Sequence, residues 1–219
     1  MDLSKISGIT QFAGDLCYLF LAIDAFWGLY CAVVVGRRIV QIRFRNEADQ
    51  SRFLDEFEAS VAAGDPAAAA QQCGDDPRVV AHLGRLAVDH AHLEPAKLRH
   101  LLADRYQRDY SADLEHRISW INTVIKTAPM LGLFGTVLGM MSAFGKLGSG
   151  SKIDPTGLAG DISLALITTA IGLAIAIPLS LCVASLTIRM RKMEDLVNVG
   201  ITRLFDTVAG ARLPARRKE

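Results

Sequence analysis

Three long apolar runs constrain the fold of this chain more than any other feature. The runs are residues 16–36, 127–147 and 162–188, and their only charged residues are Asp24 and Lys146. About 20 consecutive apolar residues suffice for a helix to cross a bilayer. The sequence therefore predicts an all-α chain with three transmembrane helices. The third run is long enough to tilt or to continue past the membrane.

The basic residues predict how these helices are oriented. Residues 37–126 contain 13 Lys/Arg and residues 189–219 contain eight, whereas only Lys5, Lys146 and Lys152 lie on the opposite side. The positive-inside rule places the basic segments in the cytoplasm. Residues 1–15 and the hairpin at 148–161 are then outside, and 189–219 form a basic cytoplasmic tail. Because arginines follow the first run instead of preceding it, we expect a retained helix and not a cleaved leader.

The segment between the first two spans is predicted to be helical. Asp65 followed by Pro66 is a typical helix start, and Asp154 before Pro155 is another, for the third span. The stretch after Pro95 has no breaker before the second span, so long helices are expected to extend into the cytoplasm. Five histidines fall in this segment: His82, His90, His92, His100 and His116. No three potential ligands share one helix face, so a solvated helix surface is favoured over a metal site.

Composition and motifs exclude several function classes. The net charge of +1 is too small for a protein that binds nucleic acid through a basic surface. The four cysteines lack the spacing of a zinc site or of a disulfide framework. Because the sequence contains no nucleophile elbow, P-loop or Rossmann fingerprint, it predicts neither an enzyme nor a cofactor.

Spans two and three carry matching stripes of small residues. Each stripe has four members at offsets 0, 4, 7 and 11, which lie on one helix face. In span two they are Gly132, Thr136, Gly139 and Ala143, widened by Gly135, and in span three Ala165, Thr169, Gly172 and Ala176. Small faces allow close helix packing in lipid, which is one interpretation. The other is that hydroxyls repeated by oligomerisation line a narrow, weakly polar lumen, although a threonine also commonly bonds its own helix carbonyl.

The segments TAPMLGLFGTVLGMMSAF and ALITTAIGLAIAIP resemble the paired motifs of the MotA/TolQ/ExbB proton-channel family. With three spans, the chain is closer to the ExbB/TolQ branch than to the four-span flagellar stator subunit. The resemblance implies a pentameric barrel in the bacterial inner membrane, with its N-terminus periplasmic. It also implies pore threonines at Thr136 and Thr169, with Thr168 beside them, and motif prolines at Pro129 and Pro178.

The same resemblance implies a mechanism and partners. A single-span partner similar to ExbD or TolR would place a proton-carrying aspartate in the pore. The proton-motive force would then drive import or envelope work at the outer membrane, with a TonB-like or TolA-like protein as a further partner. Because the stripes contain no titratable group, the membrane potential must act on a group that the partner supplies.

Two acids depart from the family pattern. Many ExbB/TolQ members have a glutamate five residues before the span-three threonine, where this chain has Leu164. Asp161, one turn nearer the outer mouth, is a candidate substitute that gathers protons or cations, or else a helix N-cap or first-turn acid. Asp24 lies within span one, where an acid is costly and suggests function. It is expected to stay protonated or to bond a hydroxyl or indole, and to contact a neighbouring subunit or partner.

Two other functions remain open from the sequence. A non-conducting membrane scaffold would use the stripes for packing alone, and the missing glutamate favours it. A Na⁺-driven motor for surface motility would use the same architecture with another ion.

Overall fold

A computed structural model of the chain describes residues 3–74, 76–148 and 155–211, and every element in them is helical. This confirms the predicted all-α class. The α-helices in these residues are α1 Leu3–Ile42, α2 Glu47–Ala62, α3 Pro66–Cys73, α4 Val79–Asp89, α5 Pro95–Tyr106, α6 Ala112–Gly148 and α7 Pro155–Ala211. A π-helical segment, Gln107–Ser111, joins α5 to α6.

Within the residues that the structure describes, three helical stretches are long and apolar enough to cross a membrane, as predicted. They are Leu16–Ile42, Pro95–Leu147 and Pro155–Ala211. Large apolar side chains point outward from all three, among them Phe26, Met130 and Leu181, which are 75%, 68% and 68% exposed. A single chain in water would not tolerate so much exposed apolar surface. The surface therefore suits contact with lipid or with other chains.

The helix that contains the third apolar run, α7, extends further than the sequence predicted. The start at Pro155 is as expected, because proline favours the first helical position. However, residues 155–161, assigned to the outer hairpin, are already helical, and most of the supposed tail continues α7 as far as Ala211. Pro178 does not end this helix. Asp154 and Lys152 lie outside the described residues.

The described residues fall into two compact units. The first, called here the span unit, comprises the described residues within 1–33 and 117–185. The second, called the stem unit, comprises those within 34–116 and 186–211. In the stem unit, Phe57, Leu83 and Leu204 are fully buried and form its core. Gly84 of α4 fits against Cys73, Leu204 and Phe57, where a methyl group would lie 3.0–3.4 Å from their side chains.

Local capping in the stem unit follows the sequence. The carboxylate of Asp65 accepts a hydrogen bond of 2.9 Å from the amide of Ala68, which confirms the predicted N-cap of α3. Before α4, the guanidinium of Arg78 binds the carboxylate of Asp76 through Nε at 2.7 and 2.8 Å. The same guanidinium lies 4.0 Å from the ring centroid of Phe44. Burial opposes ionisation of Asp76, but the hydrogen bonds and charge of Arg78 outweigh it, and the Asp76 pKa is lowered.

The histidines do not assemble into a ligand set. His90 faces His92 with ring centroids 6.2 Å apart, and its Nδ1 lies 3.0 Å from the carbonyl of Leu86. Four of the five histidines are exposed and His90 is half-buried. Among the described residues no group of three potential ligands could hold a metal ion.

Candidate functional site

The small-residue stripes bring α6 and α7 into backbone contact. A methyl group added at Gly132 would lie 2.7 Å from the carbonyl oxygen of Thr168 and 2.9 Å from the Cα of Thr169. At Gly172 it would lie 2.5 Å from the carbonyl oxygen of Ala128. Only glycine permits so close an approach. This contact, at which small residues let the two backbones approach each other, is called here the glycine seam.

The remaining stripe residues extend the seam. A methyl group at Gly139 would lie 2.4 Å from the Cβ of Ala165, and one at Gly135 would lie 2.5 Å from the hydroxyl of Thr168. Ala143, Ala165 and Ala176 are 1%, 4% and 7% exposed. The seam therefore runs along both helices with side chains no larger than threonine.

Thr168 is the hydroxyl residue inside this seam. It is 3% exposed, and its Oγ1 lies 3.0 Å from the carbonyl oxygen of Gly132 and 2.7 Å from that of Ala165. The single hydroxyl proton is shared between one acceptor on each helix. Thr168, predicted to lie beside the pore threonines, is thus positioned within one chain as a bridge between α6 and α7.

Thr136 and Thr169 lie at the margins of the seam and are only partly buried. The hydroxyl of Thr136 donates to the carbonyl of Leu133 at 2.6 Å. It lines a shallow apolar groove on α6 with Val137, Met140, Met141 and Phe144. The Thr169 Oγ1 is buried and has no hydrogen-bond partner. Ala165, whose carbonyl is the usual partner for a hydroxyl four residues later, already accepts from Thr168.

The two motif prolines have different surroundings. Pro129 lies in the seam, where its Cα is 3.2 Å from the position of a methyl group at Gly172. Pro178 is exposed on α7. Each lies inside a continuous helix.

Asp24 contacts the middle of α6. Its Oδ2 accepts a hydrogen bond of 2.7 Å from the hydroxyl of Thr127, 103 residues away. A hydroxyl partner is one of the two that the sequence predicted. Trp27, the indole considered there, instead packs edge-on against Trp120 with ring centroids 6.2 Å apart. The carboxyl group thus joins α1 to the first residue of the TAP motif.

Asp161, near the start of α7, is paired with Lys146, near the end of α6. Its Oδ2 lies 2.5 Å from Nζ of Lys146, and the two side chains are 21% and 61% exposed. Because α7 begins at Pro155, Asp161 is its seventh residue and lies beyond the first turn. The N-cap and first-turn interpretation was therefore wrong. The residue at the family's glutamate position, Leu164, is 58% exposed.

Sequence reasoning missed the contacts that hold α1 in the span unit. A methyl group at Gly28 would lie 2.6 Å from Leu179 and 3.0 Å from Val124, so α1 also approaches its neighbours through a glycine. The thiol of Cys17 donates to the carbonyl of Leu131 at 3.0 Å. The spacing of Gly28 and Gly36, eight residues apart on one helix face, was the available signal.

Comparison with known proteins identifies a family whose matched region contains the packed α6–α7 pair. Residues 75–198, which include the whole glycine seam, match the MotA/TolQ/ExbB proton channel family. An ExbB-like protein of Helicobacter pylori is 37% identical over 91 residues, covering 42% of this chain and 59% of the relative. The biopolymer transport protein ExbB of another H. pylori strain is 39% identical over 84 residues, covering 38% and 56%.

The Tol-Pal system protein TolQ of Haemophilus influenzae is 41% identical over 82 residues, which is 37% of this chain and 36% of the relative. The matched segments thus span between about a third and three-fifths of these relatives' lengths. The family match itself covers more than half of the present chain. With its three long apolar helices and the paired motifs packed along the glycine seam, the chain belongs to the MotA/TolQ/ExbB proton channel family.

Proposed function

We propose that this chain is a proton-channel subunit of an inner-membrane motor that works in biopolymer transport or envelope maintenance. Several copies, five by family resemblance, surround a pore, and α6 and α7 line it. An ExbD/TolR-like single-span partner inserts a helix carrying an aspartate into this pore. Flow of protons down their gradient then drives mechanical work, delivered through a TonB-like or TolA-like protein.

The observation that carries this proposal is the packing of the two motif helices in register. Gly132 meets the backbone of Thr168 and Thr169, while Thr136 lies four residues further along α6, about 6 Å along the helix axis. Two hydroxyl-bearing residues are thereby held at the margins of a rigid helix pair. The unpartnered Oγ1 of Thr169 can both donate and accept, so it suits water or a protonated carboxyl group.

The seam explains why a partner is required. It contains no titratable side chain, and a threonine hydroxyl does not change charge at any physiological pH. A membrane potential does about 2.3 kcal/mol of work per charge per 100 mV on a charge that moves. The ring formed by this chain alone is therefore expected to conduct poorly, and the partner's carboxylate completes the path.

Proton flux in proteoliposomes tests this function. The chain is reconstituted with and without its single-span partner, and a pH-sensitive dye reports flux after a membrane potential is imposed. Thr136→Val and Thr169→Val should leave assembly intact and abolish partner-dependent flux. Thr202→Val is the matched control, because Thr202 is exposed on α7 and its hydroxyl donates to a carbonyl of its own helix, that of Asn198, at 3.0 Å. Unchanged flux in both seam variants would refute the pore assignment, and flux that follows Na⁺ would indicate the Na⁺-driven motor.

A non-conducting scaffold is the second candidate. Leu164, in place of the family's glutamate, and a glycine seam already explained by packing both favour it. A scaffold would assemble without an aspartate-bearing partner and show no flux under any condition. The flux of the unsubstituted protein with its partner separates the two functions.

Asp161 is proposed to hold cations near the outer end of the pathway. Its pairing with Lys146 lowers the net charge there, and an approaching cation must compete with the ammonium group for the carboxylate. Asp161→Asn should reduce flux more at low than at high salt, because exposed charges act weakly beyond about 10 Å at 0.1 M salt. Full flux in this variant at low salt would rule out the role.

A further inference from the structure

We propose that the stem unit holds the headgroup of an anionic phospholipid between α1 and α7, at Arg37 and Arg189. The two helices touch where both apolar runs end. A methyl group at Gly36 would lie 3.7 Å from the side chain of Leu186. Arg37 follows this contact by one residue and Arg189 by three, so with a rise of about 1.5 Å per residue both lie within about 5 Å of its level.

Helix geometry places both arginines on the same side of the contact. Both helices run in the same direction past it, because Gly28 of α1 approaches Leu179 of α7, and Gly36, later on α1, approaches Leu186, later on α7. Each residue advances about 100° around its helix. Arg37, one residue after the contact on α1, and Arg189, three residues after it on α7, are therefore turned toward the same side of the helix pair.

The direction of the side chains favours the membrane. Helical side chains lean toward the N-terminus of their own helix, and on both helices this direction leads back to the apolar runs. Arg37 and Arg189 are exposed, and no ion pair to either is found within the described residues. Lys192 follows Arg189 by three residues on the same face of α7 and is also exposed. With helix axes about 8–10 Å apart, two guanidinium groups can reach one phosphate.

An exposed apolar side chain indicates an amphiphilic ligand instead of free phosphate. Val40 follows Arg37 by three residues, lies on the same side of α1 and is 62% exposed. An acidic pair on α7, Glu194 and Asp195, turns to other faces of that helix and leaves this side positive. A negatively charged headgroup with apolar chains matches both features.

Retention of lipid during purification tests this site. The full-length protein is purified in detergent containing equal amounts of phosphatidylglycerol and phosphatidylcholine, and mass spectrometry counts the lipid retained per chain. We expect phosphatidylglycerol to be retained in clear excess. The Arg37→Gln/Arg189→Gln variant should bind it about 30-fold more weakly, since each Lys/Arg near an anionic surface changes binding about fivefold.

The controls separate this site from general electrostatics. Arg45→Gln/Arg52→Gln removes the same charge from exposed positions of the stem unit and should retain the lipid. Equal retention in both double variants, or equal retention of phosphatidylcholine, would overturn the proposal. So would displacement of the lipid by soluble glycerol phosphate, because the site would then bind phosphate alone. A change in the number of subunits with unchanged lipid would instead make this side an interface between copies.

If a variant cannot be purified, the salt dependence of lipid retention by the unsubstituted protein still tests the proposal. The excess of phosphatidylglycerol should fall steeply as salt rises from 0.1 to 1 M, because the contact is electrostatic. An excess that does not respond to salt would contradict a site built on two arginines. The lipid site and proton flux fail independently, since neither arginine lies in the glycine seam.

Discussion

Substituting one seam glycine offers a sharp test of the helix packing. Gly132→Ala adds a single methyl group where the nearest atoms are the carbonyl oxygen of Thr168 at 2.7 Å and the Cα of Thr169 at 2.9 Å. Both atoms belong to the backbone, so no side chain can rotate away. Restoring an ordinary contact requires α6 and α7 to separate by about 0.7 Å at this point.

The structure sets the size of the effect. Overpacking by a methyl group costs about 1–3 kcal/mol, and the upper end applies where backbone must move. Alanine recovers up to about 1 kcal/mol through its higher helix propensity. The net loss is about 2 kcal/mol, which for a chain of this size lowers the melting temperature by about 4–8 °C.

Gly145→Ala is the matched control on the same helix. A methyl group at Gly145 would meet nothing within 4 Å, so this variant should keep the melting temperature or raise it slightly. Thermal unfolding of both variants in detergent, followed by loss of the assembled peak in size-exclusion chromatography, measures the difference. Equal melting temperatures for the two variants would refute the close approach of α6 and α7.

Three further outcomes are expected from contacts elsewhere in the chain. Asp24→Leu and Thr127→Val should each destabilise the protein by about 1 kcal/mol, and the double variant should lose no more than either alone, because one hydrogen bond joins them; additive losses would contradict that bond. Burial raises the pKa of Cys73 to about 12, so its alkylation at pH 8 should be about a thousandfold slower in the folded than in the unfolded chain. Mass spectrometry of the peptide that contains Cys73 measures both rates. Rates within tenfold of each other would argue against the raised pKa. The lowered pKa of Asp76 means that the unfolded chain binds a proton more readily, so stability present above about pH 4 is lost as pH falls further. In a series of melting temperatures measured against pH, Arg78→Met should weaken this loss of stability at acid pH. An unchanged loss would exclude Arg78 as the cause.

Features governed by local chemistry were predictable from the sequence. Whether a run can cross a bilayer depends on its length and on the absence of charge, and both are visible in the residues themselves. The cap of α3 depends on Asp65 and its neighbours alone. The extent of α7 was underestimated, because residues 155–161 and 189–211 are polar enough to suggest loops, yet contain no proline after Pro155.

The assignment of hydroxyl residues needed the fold. Thr168 and Thr169 are adjacent and chemically identical, and they differ only by about 100° around α7. The contact with Gly132 decides which hydroxyl is buried between the helices, and it selects Thr168. A stripe drawn from offsets alone includes Thr169 and cannot make this distinction.

The sequence by itself determined three apolar helices, the small faces on two of them and the family to which they belong. Tertiary structure alone decided the pairing of Asp24 with Thr127 and of Lys146 with Asp161. The physical reason is range: hydropathy and helix propensity act between neighbours along the chain. A hydrogen bond across 103 residues exists only after α1 and α6 have packed at a set height and rotation.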